Sequence, residues 1–288
     1  MQKLKFRLVN VFAESPLGGN PLCVFEDGSL LDTAIMQALA LQFNLSETTF
    51  LLPPDDPKAI RRVRIFTPMF EMPFAGHPTL GTAHVVRALC GGGDRLGLQM
   101  QVGLVPVEAD GDRWTLQAGS PSWHAPQCTR TQLAQMLGIA EDDVLEGALW
   151  VDTGSEQLIV PLASADAVER CRPNAELLAR YSIGAKRRGL AYAWSRVGPD
   201  DIRVRFFLEK HGGILEDPGT GSACANLGGW FIARRTPLPM EARVLQGDQV
   251  GRPCRLGLRV DAEQRIFVSG RVVELGHGEI SLPASVKA

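Results

Sequence analysis

Apolar and polar residues alternate at the start of the chain, where Leu4, Phe6 and Leu8 share one face. Alternation with a period of two is typical of a half-buried strand. This pattern, together with short apolar runs, predicts strands over residues 4–12, 22–25, 46–52, 61–66, 98–107, 114–117, 158–160 and 203–208. The chain is therefore predicted to be rich in sheet.

Four segments have helical spacing instead: residues 33–43, 78–90, 131–137 and a helix that starts at Ser222. Asp32 is predicted to cap the first of these helices, and Asn44 to end it. The last helix contains Gly228 and Gly229. Each glycine costs up to about 1 kcal/mol relative to alanine in an exposed helix. Both together predict a helix that is closely wrapped by sheet.

The sequence contains an internal repeat. Three segments of the first half have similar counterparts, in the same order, about half a chain later. The pairs are RVRIF at 62–66 with RVRFF at 203–207, FAGHP at 74–78 with DPGTGSA at 217–223, and QVG at 101–103 with QVG at 249–251. We therefore predict two related domains, residues 1–124 and 125–288, connected near residues 119–126. The final strand of the chain is expected to pack back on the first domain.

Composition limits the possible functions. The 288 residues are 45% hydrophobic and 22% charged, with a net charge of −2, as is ordinary for a globular protein. Basic runs such as 61–62 and 186–188 are short, so a nucleic-acid partner is not expected. The apolar runs are all shorter than the roughly 18 residues of a membrane span. A cytoplasmic protein without a membrane partner is predicted.

The six cysteines are widely scattered and lack the spacing of a zinc or redox motif. They are interpreted as apolar packing residues, Cys224 included, and disulfides are not expected. His84, His124, His211 and His277 lack partners at metal-ligand spacing, so no metal site is predicted.

The two Gly-rich turns each precede a predicted helix. A helix start offers unpaired N–H groups and partial positive charge, and glycine lets a ligand approach closely. Two such turns favour a small anion, such as a carboxylate, held between two domains. Nucleotide-binding patterns are absent from the sequence. For the second turn alone, a simple helix cap by Ser222 is an open alternative.

Three residues near the turns are candidates for acid–base chemistry. Glu47 lies in an apolar, hydroxyl-rich stretch, where burial suits a general acid or base. His77 stands in the first turn and could shuttle protons. Asp217 precedes the second turn and could orient His77 or a substrate amine. The alternatives are a solvated carboxylate for Glu47, a capping or surface histidine for His77, and a helix-stabilising charge for Asp217.

Several motifs together resemble the PhzF-like family of phenazine-biosynthesis isomerases. The matching segments are NLSETTF at 44–50, RIFTP at 64–68, FAGHP at 74–78, EDPGTGSA at 216–223, GNP at 19–21, and LQG through GRP at 245–253. The match extends from about residue 6 to about residue 270.

The resemblance implies an α+β fold of two pseudo-symmetric diaminopimelate epimerase-like domains, each a rolled, mostly antiparallel sheet around a central helix. It also implies a homodimer and a cofactor-free proton shuttle in the interdomain cleft. Glu47 would be the general acid/base, while His77, Asp217 and Ser222 would hold the substrate and its proton. The backbones of Gly76 and Gly221 would bind the substrate carboxylate.

Epimerases of this fold use one cysteine at each turn, whereas Ala75 and Pro218 stand at the expected positions here. A single carboxylate, Glu47, fits a hydrogen shift on one face of the substrate better than inversion. We therefore predict an isomerase acting on a small amino- or hydroxy-carboxylate. The alternatives are an amino-acid epimerase or racemase and a non-catalytic carboxylate-binding protein. The motifs leave open both the substrate and any part in making phenazines.

Overall fold

The computed structural model describes residues 2–184, 189–210 and 212–283; the basic run at 186–188 and His211 lie outside these ranges. The described chain forms two compact units. The first comprises the chain up to Leu116 together with the residues from Ser269 onward, and the second is Gln117–Val268. The boundary predicted at residue 124 therefore lies slightly inside the second unit.

The strands are β1 Gln2–Val11, β2 Asn20–Phe25, β3 Glu47–Leu52, β4 Arg61–Phe66, β5 Glu71–Met72, β6 Arg95–Met100, β7 Gly103–Asp110, β8 Arg113–Gln117, β9 Ser122–His124, β10 Leu149–Asp152, β11 Gln157–Pro161, β12 Leu190–Arg196, β13 Asp201–Lys210, β14 Gly213–Asp217, β15 Met240–Gln246, β16 Cys254–Val260 and β17 Ile266–Leu282. The α-helices are α1 Thr33–Phe43, α2 Gly76–Cys90, α3 Arg130–Leu137, α4 Ala165–Arg170, α5 Ala175–Tyr181 and α6 Gly221–Ala233.

The sheet of the first unit is rolled. β1 pairs antiparallel with β2, β2 parallel with β3, and β3 antiparallel with β4. β4 then pairs parallel with β6, which continues antiparallel into β7 and β8. β17 pairs with both β1 and β8, so the sheet closes on itself. The central helix α2 packs against β1, β2, β3 and β6.

The second unit repeats this topology. β10 pairs antiparallel with β11, β11 parallel with β12, and β12 antiparallel with β13. β13 pairs antiparallel with β14 and parallel with β15, which continues antiparallel into β16. Helix α6 packs against β9, β10, β11 and β16 and is the counterpart of α2. The order and direction of the pairings are those of the first unit, as the sequence repeat predicts.

Both central helices need small residues at their contacts with the sheet. A Cβ on Gly81 of α2 would lie 2.7 Å from Leu22 and 2.8 Å from Val11. A Cβ on Gly229 of α6 would lie 2.8 Å from both Pro121 and Val151. Distances below 3.0 Å force a neighbour to move. The close packing predicted for the Gly228–Gly229 helix is therefore present.

Capping residues in the sequence correctly predict where several helices begin or end. The Asp32 side chain accepts from the Ile35 N–H at 2.8 Å, and Asn44 ends α1 in the left-handed conformation with φ 50°. Helix α2 ends at Gly91, also left-handed, but begins at Gly76, before the predicted Pro78. The strand predicted over 98–107 is instead a hairpin of β6 and β7, since Gly103, at φ 108°, allows the chain to turn.

The described part of the chain contains no helix that is both long and apolar enough to cross a membrane.

Candidate active site

The first candidate group is a carboxylate–imidazole pair in the first unit. Glu47 is the first residue of β3, and His77 is the second residue of α2. Glu47 Oε2 lies 3.5 Å from His77 Nε2, and the two side chains are 16% and 7% exposed. Glu47 is therefore not a solvated carboxylate, and His77 is not a surface histidine.

The surroundings of His77 define its protonation. Burial lowers the pKa of His77 from 6.5 to about 3, although a hydrogen bond to the backbone of Pro21 acts in the opposite direction. Proline has only a carbonyl to offer, so a ring N–H must donate to it. Nε2 makes no hydrogen bond among the described residues, which makes Nδ1 the donor. Neutral His77 thus presents the lone pair of Nε2 to Glu47.

The start of α2 is open to an anion. The side chain of its N-cap residue, Ala75, makes no capping hydrogen bond to the first turn. The first turn also contains no acidic residue. The Thr79 N–H bonds to the Ala75 carbonyl at 3.2 Å, and Pro78 has no N–H. The N–H groups of Gly76 and His77 therefore have no carbonyl partner within the helix. A helix start of this kind favours negative charge.

The second turn is held by Gln246, which is almost fully buried. Gln246 Nε2 donates to the Asp217 carbonyl at 2.8 Å and to Thr220 Oγ1 at 3.0 Å. Gln246 Oε1 accepts from the Thr220 N–H at 3.1 Å. The Thr220 hydroxyl in turn donates to Asp217 Oδ2. These bonds orient the Asp217 carboxylate at the entrance to α6.

Ser222 is the second residue of α6. The N-cap residue is Thr220, whose side chain makes no capping hydrogen bond to the helix. The alternative in which Ser222 caps the helix is therefore wrong. Ser222 Oγ instead accepts from Gln157 Nε2 at 2.9 Å. Gly221 opens the helix, and the first turn contains no acidic residue. This unit thus repeats the open helix start of α2, with a hydroxyl in place of the imidazole.

The resemblance assigns the two epimerase thiol positions to Ala75 and Pro218, and neither is a cysteine. Ala75 is the N-cap of α2, and Pro218 lies two residues before Thr220, the N-cap of α6. Cys224 lies one turn further along α6 and is fully buried, which raises the pKa of its thiol far above the ordinary value. Its interpretation as a packing residue fits this environment.

The structure thus groups Glu47, Gly76 and His77 in the first unit, and Asp217, Gly221 and Ser222 in the second. The prediction that Asp217 orients His77 involves both units and stays a prediction. Within the described ranges, no group of three or more His, Cys, Asp or Glu side chains could hold a metal ion.

Four residues that shape these groups have no role in the sequence-based predictions: Pro21, Gln157, Asn226 and Gln246. Two of them carried a signal, since Pro21 and Gln246 lie in motifs of the family resemblance. Gln157 and Asn226 are far apart in the chain and follow no pattern. Only strand pairing and the placement of α6 bring them together.

Comparison with known proteins identifies related sequences and folds. The model of the phenazine biosynthesis-like protein family, PhzC-PhzF, matches residues 9–278. An uncharacterized isomerase of Pasteurella multocida (strain Pm70) is 40% identical over 281 residues, covering 97% of this chain and 94% of that protein. The trans-2,3-dihydro-3-hydroxyanthranilate isomerase of Pseudomonas fluorescens is 34% identical over 294 residues, covering 96% and 98%. A PhzF-family crystal structure from Bacillus anthracis has a TM-score of 0.86 at 23% identity, covering 98% and 100%.

These similarities confirm the predicted family resemblance, the α+β fold of two epimerase-like halves, and the class of enzyme, an isomerase. The roles of the individual site residues stay predictions.

Proposed function

Because the chain belongs to the phenazine biosynthesis-like family, whose named relatives are isomerases, we propose that it moves a proton on a small amino- or hydroxy-carboxylate. Catalysis would be general acid–base catalysis by Glu47 and would need no cofactor. The observation that carries this proposal is the 3.5 Å distance between Glu47 Oε2 and the Nε2 of a neutral, buried His77.

The Glu47–His77 pair is suited to hold one movable proton. Since Nδ1–H of His77 is committed to Pro21, Nε2 can only accept. The two facing lone pairs form a hydrogen bond only when a proton lies between Oε2 and Nε2. A proton taken from a substrate would therefore be held between Glu47 and His77. Because the Glu47 side chain is still 16% exposed, this proton can exchange with solvent deuterium before it is returned.

The reaction would have two steps. Glu47 removes a proton from a substrate carbon: the C–H bond breaks, an O–H bond forms, and the electron pair moves into the unsaturated system conjugated with the carboxylate. Glu47 then returns the proton to a different carbon on the same face. The open starts of α2 and α6, at Gly76 and Gly221, would stabilise the carboxylate and its developing charge.

The structure favours the isomerase over the epimerase alternative, because Ala75 and Pro218, at the positions that the resemblance assigns to the thiols, supply no acid or base. A pure binding protein would not need a titratable pair in a buried position. The resemblance to the family further supports a homodimer in the cytoplasm, which we include in the proposal.

The relatives suggest the first compound to test. One relative at 34% identity is named a trans-2,3-dihydro-3-hydroxyanthranilate isomerase, and that name describes an amino-carboxylate with a hydroxyl on a partly reduced ring. Incubation in D₂O with this compound and a panel of amino- and hydroxy-carboxylates, followed by NMR, measures exchange. Isomerisation gives exchange without inversion, epimerisation gives exchange with inversion, and binding alone gives only a thermal shift.

The Glu47→Gln variant tests the proposed base. It keeps the shape of the side chain but cannot accept a proton from carbon, so we expect deuterium incorporation to fall at least about 100-fold while the ligand-induced thermal shift persists. Glu108→Gln, at an exposed position on β7, is the matched control and should retain wild-type exchange. Undiminished exchange in Glu47→Gln would contradict the assignment.

A further inference from the structure

A chain of side-chain amides in the second unit ends at Ser222. Asn226 Oδ1 accepts from the backbone N–H of Thr153 at 2.9 Å and from the Thr153 hydroxyl at 2.7 Å. Asn226 Nδ2 donates to the Ser155 carbonyl at 2.7 Å and to Gln157 Oε1 at 2.7 Å. Gln157 Nε2 then donates to Ser222 Oγ at 2.9 Å.

The direction of these bonds is set by the backbone. A backbone N–H only donates and a carbonyl only accepts, so Thr153 and Ser155 leave one orientation for the Asn226 amide. In that orientation Asn226 presents Nδ2, a donor, to Gln157. The Gln157 atom that faces Asn226 must therefore be the acceptor Oε1. The remaining end of Gln157 is its NH₂ group, which faces Ser222. Asn226 is 0% and Gln157 3% exposed, so water does not compete for these positions.

A serine hydroxyl has one proton to donate. Since its oxygen accepts from Gln157, the proton of Ser222 points away from this chain of amides. Among the described residues, Ser222 donates no side-chain hydrogen bond that would use the proton. The hydroxyl stands at the open start of α6, beside the N–H groups of its first turn. The Ser222 hydroxyl and the backbone N–H groups beside it are consequently donors.

We propose that Gln157 is a positioning residue that holds Ser222 as an obligate hydrogen-bond donor. The Ser222 position of the second turn would then accept an oxygen anion, such as a carboxylate or a developing enolate, and would reject an amine or ammonium group. Asn226 keeps Gln157 in the required orientation. This inference rests on the proposed function, because it assigns the substrate's acceptor group to the second turn.

The Gln157→Glu variant tests the direction of the bonds. The ionised carboxylate can still accept from Asn226, but it would also accept the Ser222 proton and so withdraw it from the substrate. With the panel compound that the wild-type protein turns over, we expect kcat/KM to fall about 10- to 100-fold. The loss should shrink as pH falls, because a protonated carboxyl can again donate to Ser222. Gln135→Glu, on the exposed face of α3, adds the same charge as a control.

A double-mutant cycle separates positioning from general damage. If Gln157 acts through Ser222, Gln157→Glu should change kcat/KM less than about threefold in a Ser222→Ala background and should show no pH-dependent recovery there. An equal loss in both backgrounds would overturn the proposal. Gln157→Met, which removes both the donor to Ser222 and the acceptor for Asn226, is the second variant. Wild-type rates in both Gln157 variants would also overturn it.

An NMR measurement tests the same bond without turnover. The side-chain amide protons of Gln157, assigned by their absence in Gln157→Met, should shift upfield in Ser222→Ala. Unchanged amide shifts would show that the bond to Ser222 is absent and would overturn the inference. If the shift occurs while no panel compound exchanges deuterium, the bond direction stands and the proposed function fails. The two failures are therefore distinguishable.

Discussion

At the scale of single residues, His77 shows how burial and one backbone carbonyl determine chemistry. Burial removes the stabilisation that water gives to the imidazolium ion, and the pKa of His77 falls to about 3. The bond to Pro21 then determines which nitrogen carries the proton. His77 consequently acts as an acceptor next to Glu47 rather than as a cation.

The lowered pKa has a consequence for stability. Between pH 6.5 and about 3 the unfolded chain binds a proton at His77 that the folded chain does not. The free energy of unfolding should therefore fall as pH drops through this window, by up to about 1.4 kcal/mol per pH unit from this residue. Urea denaturation across the window should show a shallower pH dependence for His77→Asn than for wild type.

His277→Asn is the control for this prediction, since His277 is exposed on β17. It should leave the pH dependence as in wild type. Equal slopes for His77→Asn and the wild-type protein would show that His77 is not held neutral by the fold.

At the scale of elements, the central helices depend on glycine for their approach to the sheet. At Gly229 two effects oppose each other. Alanine would gain up to about 1 kcal/mol of helix propensity, but its Cβ would lie 2.8 Å from both the Pro121 ring and Val151. Overpacking of this kind typically costs about 1–3 kcal/mol. The rigid proline ring cannot move aside like a long side chain. We therefore expect the cost of overpacking to exceed the gain in helix propensity.

Gly229→Ala should accordingly lower the free energy of unfolding by about 1–2 kcal/mol, as measured by chemical denaturation. Gly198→Ala is the matched control in the same unit, since its nearest neighbour would be 4.0 Å away. The control should stay within about 0.5 kcal/mol of wild type. Stabilisation by Gly229→Ala would mean that helix propensity dominates.

The ends of elements were predictable where the signal is local. A cap such as Asp32 or a left-handed residue such as Asn44 depends on atoms within a few positions in the chain. The hairpin of β6 and β7 was missed because its alternating pattern continues across the turn. Helix α2 begins before Pro78 because the chain already has helical geometry at Gly76, where Ala75 is the N-cap.

At the scale of the whole molecule, the last strand completes the sheet of the first unit. β17 pairs with β1 from Val272 to Leu282, and Arg7 on β1 forms ion pairs with Glu26 and with Glu274 on β17. Without the strand, β1 would be left as an unpaired edge and part of the apolar sheet would be exposed. The first unit thus needs residues from both ends of the chain.

A chain that stops after Val268 should therefore lose the first unit but keep the second. We expect hydrogen exchange, followed by mass spectrometry, to show protection lost in residues 1–116 and retained in 117–268. A synthetic peptide of residues 269–288 should restore protection. A chain that stops after Pro283 is the control and should resemble the full-length protein. Full protection of the first unit in the shorter chain would contradict this role of β17.

The sequence alone determined the alternation of strands, the caps of α1, the internal duplication and the family motifs that contain Glu47, His77, Asp217 and Ser222. These features depend on neighbours in the chain or on recurring residue types. The tertiary structure decided that His77 is neutral and accepts at Nε2, and that Ser222 is bound by Gln157 rather than capping α6. Burial and hydrogen-bond direction depend on groups such as Pro21 and Asn226, which long-range strand pairing brings into contact. No local pattern records those contacts, so only the fold reveals them.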